Sequence, residues 1–243
     1  MHNESVAVSD KRESMSEISR IFNIFFEPRK VFENLKIKPR WLVPFIILSV
    51  IGIISFHFTY PYIVKQQITR IEENERIPDA QKEVIIERMG EREHPPAWQL
   101  VFAPVGTLVY FLVVAVAIFF MGNVLLGGDS SFGRMLSVYA YSSLVAIPAA
   151  IIKIPLVFMR ETIEIQTSLA LLLPPDMKES FVYRIFANFD IFTIWTLILT
   201  SLGFAVMYNF SRKKSATAVV ILWLLWVFVS SALAGVFRGF GIG

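Results

Sequence analysis

The sequence predicts an all-α polytopic membrane protein: a bundle of five transmembrane helices with an amphipathic segment before it and a charged helical outer loop. Three observations predict this class. Hydrophobic residues make up 55% of the chain and charged residues only 18%, whereas soluble domains carry about a quarter charged. Five long segments are nearly free of charge: Trp41–Val64, His94–Gly128, Met135–Met159, Ile191–Ser211 and Ser215–Phe237, with Lys153 the exception within them. No segment alternates apolar and polar residues with period two, as the strands of a membrane barrel do. A hydrocarbon core about 30 Å thick takes about 20 helical residues, so each segment crosses once. The expected spans are near 41–64, 98–126, 135–159, 191–210 and 216–237, within a membrane domain of residues 41–243.

Residues 1–40 read as a cytoplasmic segment. They hold no apolar core of a cleavable signal, so no removable leader is expected. Ser16 suits an N-cap, and Pro28 divides the pattern into two short helices. Ile18, Ile21, Phe22, Phe25, Val31, Phe32 and Leu35 recur at three- and four-residue steps, with Arg20, Arg29, Lys30 and Lys36 on the polar side. Such a stripe suits a helix lying on an anionic membrane surface, with Phe22, Phe25, Arg29 and Lys30 as its contacts. The competing reading is a cap packed over the end of the bundle.

Basic residues orient the spans. Lys36, Lys38 and Arg40 precede the first, and Arg212, Lys213 and Lys214 separate the fourth from the fifth, with Arg134 between the second and third. Placing these inside puts the N-terminus in the cytoplasm and the C-terminus outside. The outer excursion Lys65–Glu93 continues a helical face through Ile68, Ile71 and Glu75. It then starts a second amphipathic helix through Val84, Ile85 and Met89. Glu83 and Glu87 lie one turn apart there, but Lys82, Arg88 and Arg92 intermix with them, the pattern of a solvated face.

The stretch "LLGGDSSFGRMLSVYAYSSLVAIP", Leu125–Pro148, interrupts the hydrocarbon with a glycine pair. It lacks the lysine and the preceding strand of a phosphate loop, and Asp129 would repel phosphate. Gly127 and Gly128 instead end the second span, and Asp129, Ser130 or Ser131 caps the next helix. On the third span Ser142, Ala146 and Ala150 fall on one small-residue face, beside Tyr139 and Tyr141, while Pro148 and Pro155 should kink the helix. Lys153 near its outer end has no acid close by in sequence, the spans hold no acid except Asp190 at a boundary, and snorkelling explains the lysine. The apolar run Ile165–Pro175 is too short to span and reads as interfacial or re-entrant. On the fourth span Thr193, Thr196, Thr200, Gly203 and Met207 form a small, polar face, and Ser231 and Gly235 form a similar strip on the fifth. Because lipid gives no hydrophobic preference for helix over acyl chain, such faces are expected to join spans four and five.

The chain has no cysteine, and His2, His57 and His94 show no paired spacing, so no metal site and no cofactor is expected. No nucleophile–base pair or intramembrane acid pair appears, and His57 reads as hydrogen-bonded to a neighbour. A net charge of +3 does not suggest a nucleic-acid partner.

Three pieces occurring in order resemble the Yip family of five-span membrane proteins, named for eukaryotic members that interact with Ypt/Rab GTPases. They are "FEPRKVFENLKIKPRWLVPFI", "LLGGDSSFGRMLSVYAYSSLVAIP" and "NFDIFTIWTLILTSLGFAVMYNFSRKKSATAVVILWLL". The resemblance runs from about Ile21 onward and is nearest to the prokaryotic branch. It implies a cytoplasmic N-terminus in a prokaryotic inner membrane. Eukaryotic members carry a DLYGP-type motif at the first span and a GY…P motif in the third. Here "KPRWLVPF" stands at the first place, and Ala140-Tyr141 followed by Pro148 at the second, so a Rab-type GTPase partner is not implied.

The expected function is that of an integral membrane adaptor or organiser acting through protein or lipid contacts, without catalysis. Its partners would be the bilayer and membrane proteins, including copies of itself. The alternative is a small-solute or ion transporter. Candidate interaction residues are Tyr141, Ser142, Pro148, Thr196, Thr200, Gly203 and Gly235.

Overall fold

The structure, a computed structural model, describes residues 15–90, 94–178 and 180–239. The Ser16 hydroxyl accepts from the Ser19 amide, 3.2 Å, and opens α1 (Glu17–Phe26). Pro28, whose missing N–H is no loss in a first turn, opens α2 (Pro28–Ile37). Then come α3 (Leu42–Glu72), α4 (Asp79–Gly90) and α5 (Ala97–Phe120), the last prolonged by a π-helical turn over Met121–Leu125. The third span is α6 (Phe132–Ser142) and α7 (Ala146–Arg160), joined by a 3₁₀ turn at Ser143–Val145. A short α8 (Phe181–Ala187) leads into α9 (Ile191–Tyr208) and α10 (Arg212–Gly239). Five helices are long and apolar enough to cross a membrane, Leu42–Glu72, Ala97–Leu125, Phe132–Arg160, Ile191–Tyr208 and Arg212–Leu233. The described residues contain no strand, only an isolated bridge between Ser168 and Asp190. The chain is a multi-pass membrane protein of the expected class.

The third span departs from the expected single face. Proline 148 cannot donate to the carbonyl of Leu144 and its ring crowds that carbonyl. The helix tightens into the 3₁₀ turn just there. The change in winding breaks the small-residue stripe: Ser142 is buried while Ala146 is exposed.

The core is built where the N-terminal helices meet α6 and α9. Ile24, Val31, Phe32, Leu35, Val138 and Phe204 are all fully buried in it. A Cβ placed on Gly203 would lie 2.6 Å from Val138 Cγ1 and 2.9 Å from Phe32 Cε1, so α2, α6 and α9 converge on that glycine. The Lys36 ammonium donates to Val206 O at 2.8 Å and Asn209 Oδ1 at 2.7 Å. With Phe32 at Gly203 and Lys36 past Val206, α2 runs beside α9 in the same direction. The N-terminal segment is therefore neither a free surface helix nor a lid across the bundle's tip. It is a helical hairpin laid along α9, reaching Trp195, whose ring lies 5.8 Å from that of Phe25. Its apolar residues occupy two faces, and the structure splits them. Ile24, Val31, Phe32 and Leu35 go inward, while Ile18, Phe22 and Phe26 stay 70%, 65% and 80% exposed.

The small face of α9 is also assigned differently from expectation. Spans four and five do pack as neighbours, α9 against α10. Gly203, however, faces α2 and α6, because the hairpin occupies the place the fifth span was expected to take. Gly235 continues α10, and its surroundings lie outside the described residues.

Candidate functional site

Two regions bring polar chemistry into the bundle. The first holds the hairpin in place. Arg20, expected on a polar surface, is 1% exposed. Its Nη1 donates to Glu17 Oε1 at 2.6 Å, and its Nε and Nη2 donate to Asn34 Oδ1 at 2.9 and 2.6 Å. Glu17 also accepts from the Tyr141 hydroxyl at 2.6 Å and pairs with Arg40 at 3.1 Å. One network thus ties α1 to α2, α6 and the start of α3. Burying Arg20 is tolerable because its donors are matched to a carboxylate and an amide oxygen.

The same end is closed by caps. Lys36 sits at the C-terminus of α9, where carbonyls lack partners and a cation is favoured. Burial and the neighbouring Arg134 hold its ammonium below the ordinary lysine value. Arg134 Nε donates to Lys36 O at 2.9 Å. The glycine pair is a joint, not a phosphate cradle. Gly127 takes a left-handed φ of +66°, and the Tyr208 ring packs where side chains on Gly122 and Gly128 would stand. The Tyr208 hydroxyl donates to Asn123 Oδ1, and the Lys214 ammonium lies 3.8 Å from the centre of the Phe210 ring.

On the outside of the hairpin, Arg29 and Lys30 are exposed, but each is paired, Arg29 with Glu33 at 2.9 Å and Lys30 with Glu27 at 2.6 Å. Phe22 is exposed beside them, whereas Phe25 is turned onto Trp195 and the core.

The second region is a partly open cavity of about 800 Å³ touched by all five spans. Gly52, Thr107, Tyr139, Lys153, Thr196 and Trp226 line it, one from each of α3, α5, α6, α7, α9 and α10. Thr200 lines it as well, so the threonine face of α9 looks into this space and not into a helix joint. At one end Lys153 Nζ lies 3.0 Å from Asp190 Oδ2, which corrects the reading of a lysine without an acid partner. Asp190 is far away in sequence, and only the N-terminus of α9 brings it there. It caps α9 by accepting from the Phe192 amide at 2.8 Å, and it also accepts from the Thr167 hydroxyl. Burial alone would raise the Asp190 carboxyl; the bonds from Thr167, Lys153 and Phe192 N–H outweigh it and hold it below its ordinary value. Lys153 also stands 5.3 Å from the centre of the Phe192 ring.

The sequence offered Asp190 as the one acid at a span boundary without pairing it to Lys153, and it gave no place to Thr167. The signal for Asp190 was its N-cap position; for Thr167 there was none, since a hydroxyl in a loop has many uses. The run Ile165–Pro175 forms a 3₁₀ turn at Leu169–Leu172, tied to the start of α9 by the Leu169 amide, which donates to Phe189 O at 3.1 Å. His57 stacks on His94, ring centres 5.3 Å apart. Among the described residues no three His, Cys, Asp or Glu side chains are placed to hold a metal.

The Yip1 domain matches residues 22–234. The chain is also similar to membrane protein YknW of Bacillus subtilis (strain 168), 23% identical over 221 residues, covering 88% of this chain and 89% of that one. No solved structure matches it.

Proposed function

The chain belongs to the Yip1 domain family, and we propose that it works as a non-catalytic membrane organiser, its α1–α2 hairpin seated in the cytoplasmic leaflet of a prokaryotic inner membrane. One observation carries this reading: a hairpin fixed along α9 still exposes Ile18, Phe22 and Phe26 one turn apart. Left in water, such a row is costly, since burying one large apolar side chain is worth about 1.5–3 kcal/mol. The lipid around the spans is the nearest apolar medium. Leu42, exposed at the start of α3, shows that the apolar surface of the bundle begins close to the hairpin.

Seated there, the hairpin adds area mainly to the leaflet at the C-terminal end of α9, where Lys36 is bound to Val206 O and Asn209 Oδ1. Area added to one leaflet favours curvature. The basic residues Lys38, Arg40, Lys213 and Lys214 support the cytoplasmic placement of this end.

The absence of cysteine makes the test direct. A nitroxide on Phe22→Cys, in protein reconstituted into vesicles, should be relaxed by oxygen and shielded from a water-soluble nickel chelate. Vesicles carrying the native chain should be smaller than those carrying Phe22→Glu with Phe26→Glu. A water-exposed nitroxide, or equal vesicle sizes, would defeat the reading.

A second reading, transport of a small solute or ion, draws on the cavity with its Lys153–Asp190 pair. Flux across vesicles that is abolished by Lys153→Gln with Asp190→Asn would favour it.

A further inference from the structure

We infer that the cavity between the five spans is a phospholipid site: a hydrocarbon chain lies along its apolar wall and the phosphate is held by Lys153. The walls carry the first half of the inference. A volume of about 800 Å³ falls in the range of ligand sites. Its lining is mostly apolar, with Leu48, Val114 and Trp223 among the contributors and hydroxyls only at intervals. From Lys153 back to Tyr139 along the third span is roughly 20 Å of helix rise. The space is long, apolar and polar at one end, the shape of an amphiphile.

Hydrogen-bond capacity at the polar end carries the second half. Asp190 already accepts from Lys153, Thr167 and the Phe192 amide. Lysine has three N–H donors, and the structure gives one of them to Asp190. The larger open capacity is donor capacity, two N–H groups against about one remaining site on the carboxylate, which favours an anionic oxygen over a cation. Asp190 and the Phe192 ring hold the ammonium in place, so it is a positioned charge and not a trailing one. Lysine binds phosphate as such a point charge. Its pair with Asp190, the N-cap of α9, sets it in the last two turns of α7 and level with the start of the fourth span, toward a membrane boundary. A free inorganic anion would have no use for the apolar length.

Gly52 supplies the test. It lines the cavity, and a Cβ added there meets nothing within 4 Å. Gly52 is itself exposed, so the ring of Gly52→Phe has room to enter the open side of the cavity, and leaving glycine raises helix propensity. The probe is a phosphatidylglycerol with a diazirine in one acyl chain, mixed with the purified chain in nanodiscs and mapped by mass spectrometry. The native chain should be labelled on residues 139–153 and 193–200, and Gly52→Phe should lose about tenfold of that labelling, a 1.4 kcal/mol effect, with thermal stability kept. Unlabelled phosphatidylglycerol should compete well, and diacylglycerol, which lacks the phosphate, should compete poorly. Lys153→Gln with Asp190→Asn should erase that discrimination while leaving the chain site open.

Labelling unchanged by Gly52→Phe, or confined to lipid-facing positions such as Val220, would overturn the site. Equal competition by diacylglycerol, or better competition by a fatty acid, would overturn the phosphate assignment. The depth of a nitroxide at position 22 is independent of all these readings, so this inference and the hairpin proposal can fail separately.

Discussion

The bundle treats two of its glycines in opposite ways. At the hairpin end, Gly203 is buried where three helices converge, and a single added carbon would strike Val138 and Phe32. On α3, Gly52 borders a space of about 800 Å³, and an added carbon meets nothing within 4 Å. Both lie in apolar helices that are similar in composition. The difference teaches that, in lipid, a small residue permits close approach without requiring it. What decides is whether another element arrives to use the gap. At Gly203 the hairpin arrives; at Gly52 nothing from the protein does.

The largest effect expected from this contrast is at the filled joint. Phe32→Ala empties the space beside Gly203 and should cost about 3–5 kcal/mol, the range for buried aromatic truncations. Gly203→Leu overpacks the same joint and should cost about 1–3 kcal/mol. Gly52→Leu should be neutral or slightly stabilising. Unfolding of the three variants in mild detergent measures the contrast directly. A Gly203→Leu protein as stable as Gly52→Leu would mean that the hairpin does not sit on α9.

Next in size is the polar lock on the same hairpin. Arg20→Met keeps a long side chain but leaves Asn34 Oδ1 and Glu17 without their shared donor. Stranding such groups costs about 1–3 kcal/mol. The expected outcome is local: protease access between α1 and α3 should rise before the five spans unfold. Arg20→Lys should restore only part of the protection, because an ammonium cannot bridge both partners as a guanidinium does. Protection identical to the native chain would show that the hairpin is held by its apolar face alone.

The five spans were legible because hydropathy and length are properties of each segment taken alone. So were the Ser16 cap and the break at Pro28, both local effects of backbone hydrogen bonding. Arg20 was misplaced because helical periodicity assigns a residue to a polar side without saying what lies against that side; Asn34 and Tyr141 lie there. Lys153 and Asp190 were each visible, but their pairing depends on how α7 and α9 meet, a matter of tertiary packing. The threonine face of α9 was legible as a face, yet its use was not, since a hydroxyl serves a helix joint and a cavity wall equally well.

A smaller effect is expected outside the bundle, where α7 ends. Glu161 takes a left-handed backbone, φ 49°, a conformation in which a Cβ is crowded. Among the described residues its side chain makes only an exposed pair with Lys65, 3.3 Å. Glu161→Gly should therefore stabilise the chain by a few tenths to about 1 kcal/mol, the relief outweighing the pair and the added backbone freedom. A clear loss of stability would mean that the pair to Lys65 matters more than its exposure suggests.

The smallest effect lies at a second ion pair on the same side, Glu164 with Lys178 at 3.0 Å. The hydrogen bond from Lys178 is the leading cause that holds the Glu164 carboxyl below its ordinary value of 4.5, and Gln66 adds a bond of 2.6 Å. A carboxyl with a lowered folded pKa binds protons more readily when unfolded. Its contribution is thus complete above 4.5 and is lost as pH falls through the lower folded value. The Lys178 ammonium, raised by the same partner, behaves in mirror image: its share is complete below 10.5 and lost as pH rises through the higher folded value. Both side chains are well exposed, so solvent screening limits the pair to about 0.2–1 kcal/mol. Glu164→Gln should remove this small acid-side loss, and Lys178→Gln should remove most of it, because the bond from Gln66 remains. Thermal unfolding of the two variants and the native chain, compared at neutral pH and in acid, tests the point. If only one of the two substitutions flattens the acid response, the carboxyl is held by Gln66 and not by the lysine.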